Sequence, residues 1–477
     1  GWIKRDQATE QESVWVGGTE AIQWLNDQLH KHGFDTMGDV VYNHTSGKTD
    51  GDNPLWKIDG DANSFFKWGG KEHSFTPWGA KPAYSEQGVR DFFSNNAVQQ
   101  VTEMGFDNLR FDFTQVLHNT GSAAEQVAGM ETLRQINRTL ATVKPGTASV
   151  AEDFSRNWLV AADLEAAQTQ HGIDKKGMGF QGVWNDGVRE SIYKGVEGTN
   201  PEYNMDRLMH SMQNHYGVSG WDRGVAYAHS HDEVGNSGKW VSRAAAGSKD
   251  GIMGDYARAA HRSGAALTLT GPGVPMLWQG EEFLANNDFK HGLTSTWGYD
   301  TNWLNFKVTP DRLDVFKELA ALPADQRQGR MGELKAGEQK YFERYLQMDD
   351  EQKAESEIHT FRAGTFKAYS DLVHLRRSSD AFISDSPVNA LYTHNQDRVI
   401  AYGRGQGDEQ FVVVTNLDKV DRHNYNANLP SGQWQEVLNT NAREYGGSGL
   451  GNFGATLPGG AGLNLPAGSS VVFKKVG

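Results

Sequence analysis

The chain has 477 residues, 46 Lys+Arg against 60 Asp+Glu for a net charge of −14, 14 Trp and no Cys, and at ~150 residues per domain it is long enough for two or three domains. The acidic balance makes nucleic acid a poor partner but tolerates a neutral ligand, and no apolar run of ~18 residues exists to cross a membrane. The missing cysteines exclude disulfides, thiolate zinc sites, iron–sulfur clusters and thiol catalysis and leave the compartment undecided.

In chain order, Thr19 to Lys31 shows helical periodicity through Ala21, Ile22, Trp24, Leu25 and Leu29 and leads into Met37-Gly-Asp-Val-Val-Tyr-Asn43, a predicted strand. Glu86 to Glu103 is again helical and feeds a second strand, Phe106 to Phe113. A helix over Ala124 to Thr142 precedes a third, Ala148 to Glu152. Gly179 to Trp184, Gly224 to His229 and Val274 to Gln279 each predict a buried strand, the last after a helix from Asp255 to Leu267. Six strands alternating with helices predict a parallel sheet of the (β/α)8-barrel type, with chemistry gathered at the strands' C-terminal ends. Asp311 to Ser379 is helical and charged, predicting an exposed insertion at about 311–360 followed by a closing helix. From about residue 386 to the end the period becomes two, which predicts an all-β sandwich. The expected division is therefore a barrel over 1–385 and a β-sandwich over 386–477.

The most informative stretch is Leu109-Arg-Phe-Asp-Phe113. In a strand, Arg110 and Asp112 share one face, and Leu109, Phe111 and Phe113 share the other. The arginine would keep Asp112 ionised, as a nucleophile needs; a structural buried salt bridge is the plainer alternative. Glu152, in Ala151-Glu-Asp153 at the next strand's end, could donate a proton if partly desolvated, or could be a capping acid. His229-Ser-His-Asp-Glu233 places further acids after another strand, where two histidines at i and i+2 are a weak metal signal. Three carboxylates, Asp112, Glu152 and Asp232, thus sit at three strand ends. Two carboxylates about 5–5.5 Å apart across a glycosidic bond are what retaining cleavage uses.

With Asp39-Val-Val-Tyr-Asn-His44, Leu109-Arg-Phe-Asp112, Ala151-Glu-Asp153 and His229-Ser-His-Asp232 in this order, and Gly271 to Phe283 following, the sequence resembles the α-amylase family (glycoside hydrolase family 13). The resemblance implies Asp112 as nucleophile, Glu152 as general acid/base and Asp232 as transition-state stabiliser. It implies that Arg110 positions the nucleophile and that His44 and His231 hold the reacting sugar, with Asp39 and Asn43 mainly structural. Thr114, Gln115 and Val116 replace the Lys-His that many family members carry after the nucleophile, so neither calcium nor any other metal or cofactor is expected. The aromatic-rich stretch 45–85 is expected to overhang the cleft. Trp56, Trp68 and Trp78 there are candidates for stacking on glucose units, and the other aromatics are expected to form the loop's own small core.

Trp434 to Thr440 and Glu444-Tyr-Gly-Gly-Ser-Gly-Leu-Gly-Asn452 resemble the C-terminal β-domain of glycogen branching enzymes. The resemblance begins just before the family's second barrel helix, which makes an N-terminally truncated barrel lacking its first two strands the expectation. The barrel motifs favour hydrolysis of α-1,4-glucosidic bonds in starch- or glycogen-type glucans. The C-terminal module favours a branching transglycosylase, and a non-catalytic glucan-binding relative is a third reading. The partner in every case is an α-glucan; oligomeric state is not legible.

Overall fold

The computed structural model describes residues 2–5, 13–16, 18–45, 55, 58, 65–66, 74–170, 173–198, 204–213, 223–247, 254–285, 313–334, 339, 342–343, 345–383, 386–407 and 409–476. The chain divides into two compact units, Gly1–Trp184 with His215–Val225, and Asn185–Asn214 with Ala226–Gly477.

The first unit is organised by parallel strands: β1 (Met37–Val40), β2 (Asn108–Phe111), β3 (Ser149–Ala151), β4 (Gly182–Asn185) and the first half of β5 (Gly224–Tyr227), in the order β5-β4-β3-β2-β1. Helices alternate with them: α1 (Gly18–Lys31) before β1, α2 (Gln87–Thr102) between β1 and β2, and α3 (Ala123–Val143) between β2 and β3. Parallel neighbours need such crossovers, because a tight turn cannot return the chain in the same direction. A capping box fixes the start of α3. Ser122 Oγ accepts from Glu125 N at 3.3 Å, and Glu125 Oε2 accepts from Ser122 N at 2.6 Å. The ladders align Val40 with Phe111, Phe111 with Ala151, and Val183 with Ala151, one row across four strands. Leu109, Phe111, Phe93, Leu133, Ile136 and Phe180 are buried together on the helix side of this sheet.

In that core the aromatic-rich stretch departs from expectation. Phe65, Phe66 and Tyr84 are buried in the same cluster as Phe93 and Phe111, and Phe65 meets Phe92 and Phe93 edge-on at 5.3 and 5.8 Å. They extend the sheet's core instead of closing a separate one, because α2 presents Phe92 and Phe93 to them.

The second half of β5 lies beside β6 (Val274–Met276) in the second unit. All six predicted strands are therefore present, and the fold is of the (β/α)-barrel kind. The helices Asp186–Glu197, Met205–Gln213, Val241–Ala246, Asp255–Thr270 and Asp350–Arg377 belong to this unit. The charged stretch after 311 is helical over Leu313–Ala321 and Ala324–Arg330, and Phe316, Leu319, Leu334, Phe342 and Tyr345 give it a small core of its own.

A six-stranded antiparallel sheet follows, ordered Asn389–His394, Val399–Gln406, Glu409–Asn416, Ser469–Lys475, Gln433–Asn439, Thr456–Pro458. Arg422–Tyr425 and Leu463–Leu465 form a second sheet of two strands. Val399, Ala401, Val412, Val414, Val471 and Phe473 on one face bury Leu463 and Leu465, making the sandwich interior. The opposite face, with Ile400, Tyr402, Phe411, Val413 and Val472, is buried in the same cluster as Ala260, Leu267 and Leu372 of the helices. Alternation along Val399–Gln406 is thus real, but both faces are covered and the strand reads as a continuous apolar run.

Candidate active site

The first unit builds its site where β1, β2 and β3 end. Arg110, the third residue of β2, is almost wholly buried, and its guanidinium is shared among three carboxylates. Its Nη1 lies 2.7 and 2.9 Å from the two oxygens of Asp39 and 3.0 Å from Asp112 Oδ1; Nη2 lies 2.5 Å from Glu152 Oε2. The Trp184 ring covers the guanidinium at 4.8 Å. A planar fork spreads its N–H donors over separate nitrogens and so reaches acceptors on different sides, which the single nitrogen of a lysine does not. Burial lowers the Arg110 pKa, but the charges of Glu152, Asp39 and Asp112 outweigh it and hold the group above its ordinary value.

The strand register sets the positions of the two central acids. Phe111 pairs with Ala151, and Asp112 and Glu152 are the next residues on these neighbouring strands. Their backbones stay tied: Glu152 N donates to Phe111 O at 2.9 Å, and Thr114 N donates to Glu152 O at 2.8 Å. Asn43 Nδ2 donates to both Asp112 Oδ2 and Asp112 O, each at 2.7 Å. Asn43, expected to be mainly structural, therefore aims the Asp112 carboxylate directly, while Arg110 holds the other oxygen. His44 pairs with Asn43 Oδ1 through Nδ1. Burial keeps the His44 imidazole below its ordinary pKa, against the upward pull of the Asp112 charge.

The strand alternation stops at Phe111. Phe113 adopts φ 36, in the left-handed region unfavourable for a bulky residue. Its N–H turns to Glu152 Oε2 at 3.0 Å, and its ring meets Trp78 at 5.4 Å and Phe154 at 6.1 Å. The expectation that Phe113 shares a face with Leu109 and Phe111 is corrected by this turn. Backbone strain next to a candidate nucleophile fits a constrained site. Trp78 is 51% exposed and lies 5.9 Å from the His44 ring, so an open aromatic surface adjoins the acids. Trp56 and Trp68 lie outside the described residues.

Asp153, next to Glu152, has a different task. It is fully buried and accepts from Thr114 Oγ1 and pairs with His118 Nε2, both at 2.7 Å, while Ser155 binds its other oxygen. Burial pushes its carboxyl up, but the His118 charge and the hydrogen bonds from His118, Ser155 and Thr114 prevail and hold it below the usual carboxylate range. The sequence reading missed this anchor. Its partners are 35 and 39 residues away, and no local signal joins them.

The second unit carries Asp232 and His231 at the start of the short helix His231–Ser237, whose N-cap Ser230 accepts from Asp232 N at 3.3 Å. Both side chains are half exposed, with His231 Nε2 3.5 Å from Asp232 Oδ2. Glu233 is held by Arg189 Nη1 at 2.8 Å. His229 is wholly buried: Val241 N donates to its Nε2 at 3.0 Å, which leaves the proton on Nδ1 to be donated to Glu281 Oε2. That bond ties the end of β5 to the turn after β6. Burial lowers the His229 pKa to about 3 and raises that of Glu281. Among the described residues no group of three or more His, Asp or Glu side chains is arranged to hold a metal ion.

Along the chain, a strand-end cluster of paired acids on a sheet of the (β/α)-barrel kind is followed by an all-β module. Residues 392–476 match the alpha amylase C-terminal all-beta domain. The chain is 26% identical over 425 residues to the malto-oligosyltrehalose trehalohydrolase of Arthrobacter ramosus, covering 82% of this chain and 64% of that one. It is 25% identical to the 1,4-alpha-glucan branching enzyme of Corynebacterium jeikeium over 91% of this chain and 53% of that one. The chain thus spans less than two thirds of the length of these relatives. The fold superposes on the alpha-amylase of Geobacillus thermoleovorans, solved with acarbose, with a TM-score of 0.59 at 14% identity, covering 97% and 81% of the two chains. The chain is thus similar to enzymes of the α-amylase family, branching enzymes among them.

Proposed function

We propose that the chain cleaves α-1,4-glucosidic bonds of a starch- or glycogen-type glucan with retention of configuration. The observation that carries this is the register: Asp112 and Glu152 stand one step beyond the same ladder row on adjacent parallel strands. Neighbouring strands are about 4.8 Å apart, which suits the separation of about 5–5.5 Å that retaining cleavage requires.

In this reading Asp112, with one oxygen held by Arg110 and the other by Asn43, attacks the anomeric carbon and forms a glycosyl ester as the C–O bond to the leaving sugar breaks. Glu152 gives its proton to the departing oxygen and then removes one from the acceptor that attacks the ester, which frees Asp112. To do this Glu152 has to leave Arg110 Nη2, while Asp39 and Asp112 retain the guanidinium. Asp232 takes the stabilising role that its motif implies, His44 and His231 bind sugar hydroxyls, and Trp78 offers a stacking face. Trp56 and Trp68 keep the stacking role that the motif context gives them.

With water as acceptor the outcome is hydrolysis, which the barrel motifs favour. With a sugar hydroxyl it is transfer, which the branching-enzyme likeness over 91% of the chain supports. Product analysis on amylose, scoring reducing ends and new α-1,6 linkages together, decides. Reducing ends without branch points establish the hydrolase; branch points with few reducing ends establish the transferase. Neither product, from folded protein, overturns the reading and leaves a non-catalytic glucan binder.

A further inference from the structure

The glycine-rich loop of the C-terminal module takes no part in the site above, yet it is held with unusual care. Glu436, buried in the strand Gln433–Asn439, accepts from the N–H groups of Asn452 at 2.8 Å and Gly454 at 3.1 Å, and from Asn452 Nδ2 at 2.9 Å. One buried carboxylate therefore grips the backbone on both sides of Phe453. Ala455 N closes the turn onto Asn452 O at 3.0 Å. Phe453 and Gly454 have φ of 57 and 69, two successive left-handed positions in a tight turn, the first of which favours Asn, Asp or Gly.

A phenylalanine there is strained by about 1–3 kcal/mol. Its ring recovers little from the fold, since the residue is 79% exposed. It stands at the rim of a groove of about 440 Å³ that also includes Val437, Asn439, Arg443 and Glu444. Val437 is 41% exposed. Gly449 keeps the space beside Arg443 open: a Cβ there would meet the arginine side chain at 2.8 Å. The size falls within the range of about 300–1,000 Å³ usual for small-ligand sites.

We propose that this groove is a second glucan-binding site, with Phe453 as the face on which a glucose ring stacks and Arg443 and Glu444 as partners for its hydroxyls. The inference rests on the α-glucan reading of the chain. The chemistry favours a neutral polyol. Arg443 and Glu444 cancel in charge yet offer donors and acceptors, and an aromatic face binds the apolar side of a sugar. The backbone that carries the ring is fixed before binding, so little main-chain order is lost when the sugar arrives.

The test is electrophoresis of the full chain through native gels with and without amylopectin, together with turnover of a short soluble malto-oligosaccharide. Phe453→Ala is expected to weaken retardation by about three- to tenfold while leaving turnover of the short substrate and the unfolding temperature unchanged or slightly raised. Phe453→Gly, which relieves the turn, is expected to behave likewise and to be the more stable of the two. Equal retardation of wild type and both variants overturns the site but leaves the glucan reading standing. A wild type that turns over glucan without being retarded also overturns it. A wild type that neither binds nor turns over glucan overturns both. Concentration-dependent self-association lost in Phe453→Ala, with retardation intact, would make the groove a contact between copies and overturn the proposal.

Discussion

Arg110 Nη2 lies 2.5 Å from Glu152 Oε2, joining two side chains that are both almost wholly buried. Removing one partner of such a pair leaves an uncompensated charge and costs about 3–5 kcal/mol. Arg110→Met is expected to lose stability on this scale in denaturant titrations, with turnover abolished. Arg110→Lys keeps the charge but cannot reach Asp39, Asp112 and Glu152 together; it should recover part of the stability and little of the turnover. Full turnover in the lysine variant would show that charge alone suffices.

Asp112→Asn preserves shape and the Asn43 contact to the backbone carbonyl. Glucan turnover should fall on the order of 10³-fold or more, while the unfolding temperature moves little. A slow-reacting fluorinated glucosyl donor should add one sugar mass to the tryptic peptide containing Asp112 in the wild type. Labelling elsewhere would reassign the nucleophile.

His229 and His261 are buried, and burial lowers both to about 3 from an unfolded value near 6.5. His261 donates from Nε2 to Glu281 O at 2.7 Å, and its Nδ1 has no acceptor among the described residues, so protonation there would strand a charge. Between pH 6.5 and about 3 the unfolded chain therefore binds more protons than the folded one. Stability present above pH 6.5 is lost on acidification by up to about 1.4 kcal/mol per pH unit for each histidine. Glu281, raised by burial, acts in the opposite sense. His261→Gln should be less stable at pH 7 yet show a shallower fall towards pH 4. Parallel stability curves for the two proteins would refute the assignment.

The anchor at Asp153 depends on a close helix approach. A Cβ on Gly129 of α3 would stand 1.9 Å from Leu117 O in the short helix that carries His118. Gly129→Ala is expected to cost roughly 1–3 kcal/mol or more and to reduce turnover by displacing His118 from Asp153. His118→Gln should lose turnover to a similar degree without changing the packing at Gly129. Thermal unfolding and kinetics of the two variants side by side separate these effects.

Much of this was legible in the chain. The six strands follow from apolar runs at helix ends, and the pairing of Arg110 with Asp112 follows from two-residue periodicity. The sequence did not show that Arg110 is shared with Asp39 and Glu152, because those contacts cross 71 and 42 residues and depend on strand order. Periodicity also misplaced Phe113, where a positive φ ends the alternation. The His229–Glu281 bond was hidden for the same reason as the Asp153 anchor: buried polar partners meet through the fold, and neither residue's neighbours announce the other.

The C-terminal sheet is buried on both faces, against the two-stranded sheet on one side and helices on the other. Arg262 donates to Thr440 O at 2.7 Å, Ser263 to Gly468 O at 2.7 Å, and Tyr256 to Leu417 O at 2.7 Å, so the helix Asp255–Thr270 is bonded to the sheet as well as packed on it. The segment that carries the recognisable domain sequence is therefore not a transplantable part. Expressed alone, it would turn Tyr402, Phe411 and Val413 to water and favour aggregation; exchanged for that of a relative, it would have to bring a matching helix with it.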